Sequence, residues 1–236
     1  MNLSTLYNCC QAHSGLDIID KDDGSTAYTR SNIHHIELMV SAGGGGGGRG
    51  LINNVCGCGA GGGGGGGGGI YYNNNLTYTS LTINVGGWTS AGSTGNSSNV
   101  TINGSSYTQI GGDYGTDGTT ASHQGIGGNG GNGTTFDGGD GGDGGYYDGG
   151  GVVANEQYGQ NTPFAWNVGS FNGTTEASPD CNIGGGSGGR GAEGTNMYGY
   201  GGNGYNTYGT CGSNSSGDGW MGHPGICKIV WYLNHV

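Results

Sequence analysis

Basic residues are scarce in this chain. Lys and Arg together number 5 against 16 Asp and Glu, for a formal net charge of −11. Five cations cannot neutralise a run of phosphates, which excludes a nucleic-acid binder. Proline is scarcer still, at 3 residues. That excludes collagen, whose triple helix needs strict Gly-X-Y phasing and abundant proline. Hydrophobic residues make up only 31%, so an ordinary large core is not expected. No apolar run approaches the roughly 20 residues of a membrane-spanning helix, and membrane insertion is not expected. The opening MNLSTLYNCCQAHSGLD has neither a basic n-region nor an apolar h-region, so no signal peptide is expected and synthesis is placed in the cytoplasm. Catalytic motifs are missing too. There is no GxxxxGK[ST], neither Lys21 nor Lys228 follows a glycine-rich loop, and His34 and His35 adjoin no nucleophile motif. No enzymatic activity and no cofactor are expected.

What the chain has is glycine: 64 of 236 residues, 27%, against a usual share of roughly 7%. Each interior glycine costs a helix roughly 1 kcal/mol relative to alanine, which excludes a helical bundle. Disorder is one outcome of such a composition. The other is a packed array of extended left-handed helices with three residues per turn, polyglycine II being the limiting form. Such a helix makes no internal hydrogen bonds, so its backbone groups must pair with neighbours. Only residues without Cβ let the axes come close enough, and the backbone then becomes the core.

The order of segments favours the array. IHHIELMVSA at 33–42 reads as a strand with Ile36, Leu38 and Val40 on one face and His35, Glu37 and Met39 on the other. Gly43 to Gly48 follow at once. A second run comprises Gly57, Cys58, Gly59, Ala60 and the nine glycines Gly61 to Gly69. Residues 70–85 return to β character, and 99–110 read as a hairpin turning at Asn103-Gly104. Beyond 111 the pattern becomes triplets: GGNGGNG at 127–133 and DGGDGGDGG at 137–145. Three is the repeat of the extended helix. Asp137, Asp140 and Asp143 then line one edge about 9 Å apart, as a solvated row, and Asn129 and Asn132 do the same on their segment. Further glycine segments are expected at 184–194 and 198–205. The chain closes with a strand, ICKIVWYL at 226–233, expected beside 33–40. The expected fold is therefore mostly irregular with some β: a stacked polyglycine II (polyproline II-like) array closed by a few strands. Residues 1–32, with Asp17, Asp20, Lys21, Asp22 and Asp23, form an N-terminal attachment or capping segment, and 33–236 form the glycine-rich domain.

The seven cysteines are Cys9, Cys10, Cys56, Cys58, Cys181, Cys211 and Cys227. An odd number leaves one unpaired within the chain. A Cys181–Cys211 disulfide is possible, though spacing does not fix pairing. Cys9, Cys10 and His13 with Cys56 or Cys58 fit no closed zinc pattern, and GGDGGD at 138–143 lacks the rest of a calcium-binding nonapeptide, so no metal is expected.

A strand ending in SAGGGGGG, the run GAGGGGGGGGG, the segment LTYTSLTINVGG, glycine triplets and a closing KIVWYL together resemble the glycine-rich domain of bacteriophage tail-fibre proteins. The layout is also similar to the polyglycine-sandwich adhesins at the tips of T-even-type long tail fibres. The resemblance spans about 33–236. It implies layers of polyglycine II helices, distal loops that bind a host surface glycan or protein, a place on the virion surface, and other virion proteins as partners. Aromatics are plentiful, with 15 Tyr and 4 Trp. They either seal the array or bind a receptor, since Tyr and Trp give rigid contact area at low entropy cost. The receptor-binding candidates are Trp88, Tyr146, Tyr147, Asp148, Tyr158, Phe164, Trp166, Tyr198, Tyr200, Tyr205, Tyr208 and Trp220. Two alternatives stand beside adhesion: a structural or decorating protein of a particle or filament, and an ice-binding protein, since glycine-rich antifreeze proteins also stack extended helices.

Overall fold

The computed structural model describes residues 14–20, 24–49, 51–53, 58–60, 62–118, 125–143, 146–148, 152–154 and 221–233. Its strands, in chain order, are Ser14–Ile19 (β1), Ser25–Ala27 (β2), Ile33–Ser41 (β3), Leu51–Asn53 (β4), Cys58–Ala60 (β5), Ile70–Leu76 (β6), Leu81–Asn84 (β7), Ser98–Ile102 (β8), Ser105–Gln109 (β9), Tyr146–Asp148 (β10), Val152–Ala154 (β11) and Ile226–Leu233 (β12). They make three antiparallel four-stranded sheets, ordered β1-β12-β3-β6, β2-β7-β8-β9 and β11-β10-β5-β4.

The first two sheets form a sandwich because each buries one alternating face. Ile36, Leu38 and Val40 of β3 point inward with Cys227 and Ile229 of β12 and Tyr71 of β6. They meet Leu81, Ile83, Val85, Val100 and Ile102 from the second sheet in one buried cluster. The closing strand lies directly beside β3, with Leu38 opposite Ile229 and Glu37 opposite Val230. Met39, on the other face of β3, is also buried, against Ile70 and Ile226. The hairpin between β8 and β9 turns at Asn103 and Gly104, with φ of 51° and 83°. Both values are positive, as a two-residue I′ turn requires.

Backbone pairing crosses the boundary expected at 32/33. β1 pairs with β12 and β2 with β7, so 14–27 contribute an edge strand to each sheet of the sandwich. Asp17 sits in β1, where its carboxylate accepts the Tyr28 hydroxyl at 2.6 Å and Arg30 Nη2 at 3.1 Å.

Beyond the sandwich the strands run on into glycine segments that are neither strand nor α-helix. Their hydrogen bonds join different segments and recur every third residue. The N–H groups of Ala42, Gly45 and Gly48 donate to the carbonyls of Gly69, Gly66 and Gly63, each at 2.9 Å. Gly63, Gly66 and Gly69 donate in turn to Thr116, Asp113 and Ile110. Gly64 and Gly67 turn a different way, donating to Gly142 and Gly139 and accepting from Gly128 and Gly131. Segment 62–69 therefore has four bonded neighbours.

Taken together these bonds make a double row. Segments 221–225, 42–49, 62–69 and 137–143 follow one another in the first row. The first three of these extend the sheet order β12-β3-β6. Segments 86–96, 110–118 and 125–133 make the second row, and each bonds to two segments of the first. Sandwiched sheets stand about 10 Å apart with side chains between them. Here the rows bond directly, so they must pinch together where the sandwich ends. Small, fully buried polar residues mark that seam. Ser98 Oγ donates to the Ser41 carbonyl and accepts the Gly86 N–H, both at 2.8 Å. The Gln109 amide bonds both the hydroxyl and the N–H of Thr134.

Glycine is kept where a neighbouring backbone leaves no room for a Cβ, and other residues stand where the segment faces outward. In 125–133 the exposed positions are Ile126, Asn129 and Asn132, and all six others are glycine. A Cβ on any of those six would lie 1.8 to 2.4 Å from a backbone atom of another segment. In 110–118 glycine is kept at 111, 112, 115 and 118, while Asp113, Tyr114, Thr116 and Asp117 are exposed. Segments 43–48 and 62–69, bonded on several sides, are glycine throughout.

Two expectations change. Cys58–Ala60 leave the glycine run, because they pair as β5 with both β4 and β10. The aspartate row is not merely solvated: Asp137, Asp140 and Asp143 accept the N–H groups of Gly133, Gly130 and Gly127 at 3.0, 2.8 and 2.9 Å. An outer segment has no further backbone carbonyl for these donors, and charge-assisted bonds from carboxylates replace one.

Candidate functional site

The site is built on the ribbon formed by 86–96 and 221–225. Thr89 and Gly222 exchange both backbone hydrogen bonds, at 3.3 and 3.1 Å, and Gly225 donates to Gly86 at 2.9 Å. Close approach is possible because residue 222 is glycine: a Cβ there would lie 2.0 Å from the Gly44 carbonyl. The ribbon sets Trp88 against His223, with ring centroids 5.2 Å apart and planes inclined by 49°. Asn96 Nδ2 donates to the Trp88 carbonyl at 2.9 Å and the Gly87 carbonyl at 3.3 Å, holding the backbone beneath the indole. Trp88 nevertheless remains 45% exposed, and Met221, two residues from His223, is 59% exposed. Burial lowers the pKa of His223 below its usual 6.5, so the patch is uncharged at neutral pH. An indole face, a neutral imidazole and a thioether make an adaptable apolar contact surface.

The second row of glycine segments carries further exposed side chains. Tyr114 is 46% and Ile126 62% exposed, and the Thr116 N–H bonds the Ile126 carbonyl at 2.9 Å, which ties the two segments together there. Asn129 Nδ2 donates to Asp113 Oδ2 at 3.3 Å on the same rim.

Of the receptor-binding candidates, Trp88 is exposed in this patch. Tyr146, Tyr147 and Asp148 do not lie in a loop; they form β10, flanked by β5 and β11 in the third sheet. Tyr158, Phe164, Trp166, Tyr198, Tyr200, Tyr205, Tyr208 and Trp220 lie outside the described residues, as do Cys181, Cys211 and the segments 184–194 and 198–205. Tyr71 and Tyr72 are strand residues of β6. Tyr71 packs on Tyr107 with centroids 5.3 Å apart, and the Tyr72 hydroxyl donates to Glu37 Oε1 at 2.5 Å. Burial first, and then the Glu37 carboxylate, push the Tyr72 pKa up to about 12. Cys227 is a buried free thiol in the sandwich core. Sequence reasoning missed Tyr114, Ile126 and Met221. The first two were accessible to it, since each occupies a non-glycine position of a glycine triplet.

No group of three His, Cys, Asp or Glu side chains among the described residues is placed to hold a metal ion. A scan of protein-family models finds no match to this chain, and a search of curated proteins finds none either.

Proposed function

We propose that this chain is a non-enzymatic surface protein of a virus particle, a receptor-binding tail-fibre tip or adhesin in which a polyglycine II stack holds aromatic side chains toward a host-surface glycan or protein. The reading joins the tail-fibre resemblance of the sequence to one structural observation. Trp88 stands exposed over the half-buried His223, with exposed Met221 two residues from His223, on a backbone ribbon that is hydrogen-bonded into the glycine rows. A stack whose cohesion is backbone hydrogen bonding loses little when side chains at its rim vary. Pre-organised aromatic anchors also lower the entropy cost of binding.

The test is binding of the purified, fluorescently labelled chain to panels of bacterial and eukaryotic cells, with Trp88→Ala alongside. Saturable binding to at least one cell type is expected. Truncating a central aromatic anchor is expected to weaken it roughly 30-fold. Absence of saturable binding on every panel, or equal binding by Trp88→Ala, contradicts the proposal.

A further inference from the structure

At the end of the sandwich away from the glycine rows, residues 28–35 and 76–79 enclose a cavity of about 460 Å³. This volume lies within the roughly 300–1,000 Å³ range of ligand pockets. It forms where β3 begins and β6 ends, and the turn before β3 is fixed by Asn32 at a φ of 61°.

The lining is mostly polar. Arg30 is its one permanent charge, and that charge is already matched. Arg30 Nη2 lies 3.1 and 3.2 Å from the two oxygens of Asp17, and the guanidinium sits 4.0 Å over the Trp231 ring. Thr29, Ser31, Thr77 and Thr79 supply hydroxyls, Asn32 an amide, and Ile33 and Leu76 apolar surface. Tyr78 lines it with its ring, the hydroxyl being sealed from solvent.

His34 and His35 complete the lining, with Nδ1 atoms 2.7 Å apart. At that distance one Nδ1–H donates a hydrogen bond to the other Nδ1. The neutral pair then has one bare Nε2, an acceptor, and one Nε2–H, a donor. His35 is braced by stacking on Tyr232 at 4.4 Å. An acceptor and a donor from adjacent rings, several hydroxyls, a tyrosine ring and apolar side chains suit a ligand with hydroxyls around its edge and C–H groups on its faces. An anion finds no free cation here.

We propose that this cavity is a binding site for a neutral saccharide, separate from the Trp88 patch and independent of any role for that patch. Saturation-transfer NMR and titration calorimetry on the full chain test it, with glucose, galactose and N-acetylglucosamine as neutral probes and N-acetylneuraminic acid and inorganic phosphate as anionic ones. At least one neutral sugar is expected to bind with a dissociation constant of about 1–10 mM, as expected for so small a ligand. His34→Ala and Thr77→Ala are each expected to weaken it at least about fivefold, and Trp88→Ala to leave it unchanged. His34 and Thr77 are both exposed, so at least one variant retains the fold, checked by an unchanged melting temperature. The proposal is overturned if no neutral sugar saturates, if the anions bind better, if the cavity variants bind as the parent does, or if Trp88→Ala alone abolishes binding.

Discussion

Replacing Gly66 by alanine asks whether the backbone acts as the core. Gly66 lies in the most connected segment. It donates to the Asp113 carbonyl at 2.9 Å and accepts from Gly45 at 2.9 Å. A Cβ there would stand 2.0 Å from the Asn129 carbonyl oxygen and 2.4 Å from its carbon, whereas real contacts essentially never fall below 3.0 Å. No side chain can rotate away, so segment 125–133 must retreat by at least about 1 Å. That stretches the bonds from Gly128 to Gly64 and from Gly131 to Gly67, both 2.8 Å, to about 3.8 Å, beyond hydrogen-bonding range. Each buried pair left open costs about 1–3 kcal/mol, about 2–6 kcal/mol for the two. Removing glycine stabilises by about 0.4–1 kcal/mol through the unfolded chain, too little to offset it. The loss is a large share of a typical total of roughly 5–15 kcal/mol. The control is Asn129→Ala, on the facing segment but with an exposed side chain, expected within about 0.5 kcal/mol of the parent. Urea unfolding followed by tyrosine and tryptophan fluorescence measures both. If Gly66→Ala unfolds at the parent midpoint, or no earlier than Asn129→Ala, the steric argument fails.

Two more outcomes follow from the same geometry. Asp140→Ala removes the acceptor of the Gly130 N–H and is expected to destabilise by about 1–2 kcal/mol, with Asp140→Asn recovering part of the loss through its amide oxygen; equal midpoints for all three chains would refute a bonding role. Because burial disfavours the charged form of His223, the unfolded chain binds its proton more tightly than the folded one. Its contribution to stability is therefore complete above pH 6.5 and is lost as pH falls from there through the lowered folded value. His223→Asn is expected to flatten the fall in melting temperature between pH 7.5 and pH 5, and an unchanged slope would contradict it.

Much of the architecture is legible once glycine is read position by position. The alternation in 33–40 places Ile36, Leu38 and Val40 in the core, and Asn103-Gly104 marks the turn. In GIGGNGGNG the residues that are not glycine are the exposed ones, because only there is no neighbouring backbone within reach. Other features were hidden by their dependence on distant partners. Nothing in Cys58–Ala60 announces a strand; it is one because β4 and β10 offer edges on both sides. The carboxylates of 137–143 look like a solvated row because the donors they meet lie on another segment. Asp17 looks like part of an acidic loop because Tyr28 and Arg30, which hold it, are 11 and 13 residues away. Trp88 could be named from its residue type, but its contact with His223 needs a ribbon joining chain positions far apart. The cavity between 28–35 and 76–79 has no sequence signature, since two turns create it.

The central claim, that the glycine backbone is itself the packed core, is tested most directly by residue-resolved amide hydrogen exchange. The N–H groups of Gly63, Gly64, Gly66, Gly67 and Gly69 are all donors to other segments. They are expected to exchange as slowly as those of Leu38 and Ile229 in the sandwich, by global unfolding. Exchange of these glycines at the rate of an unstructured chain, while the sandwich stays protected, would contradict it.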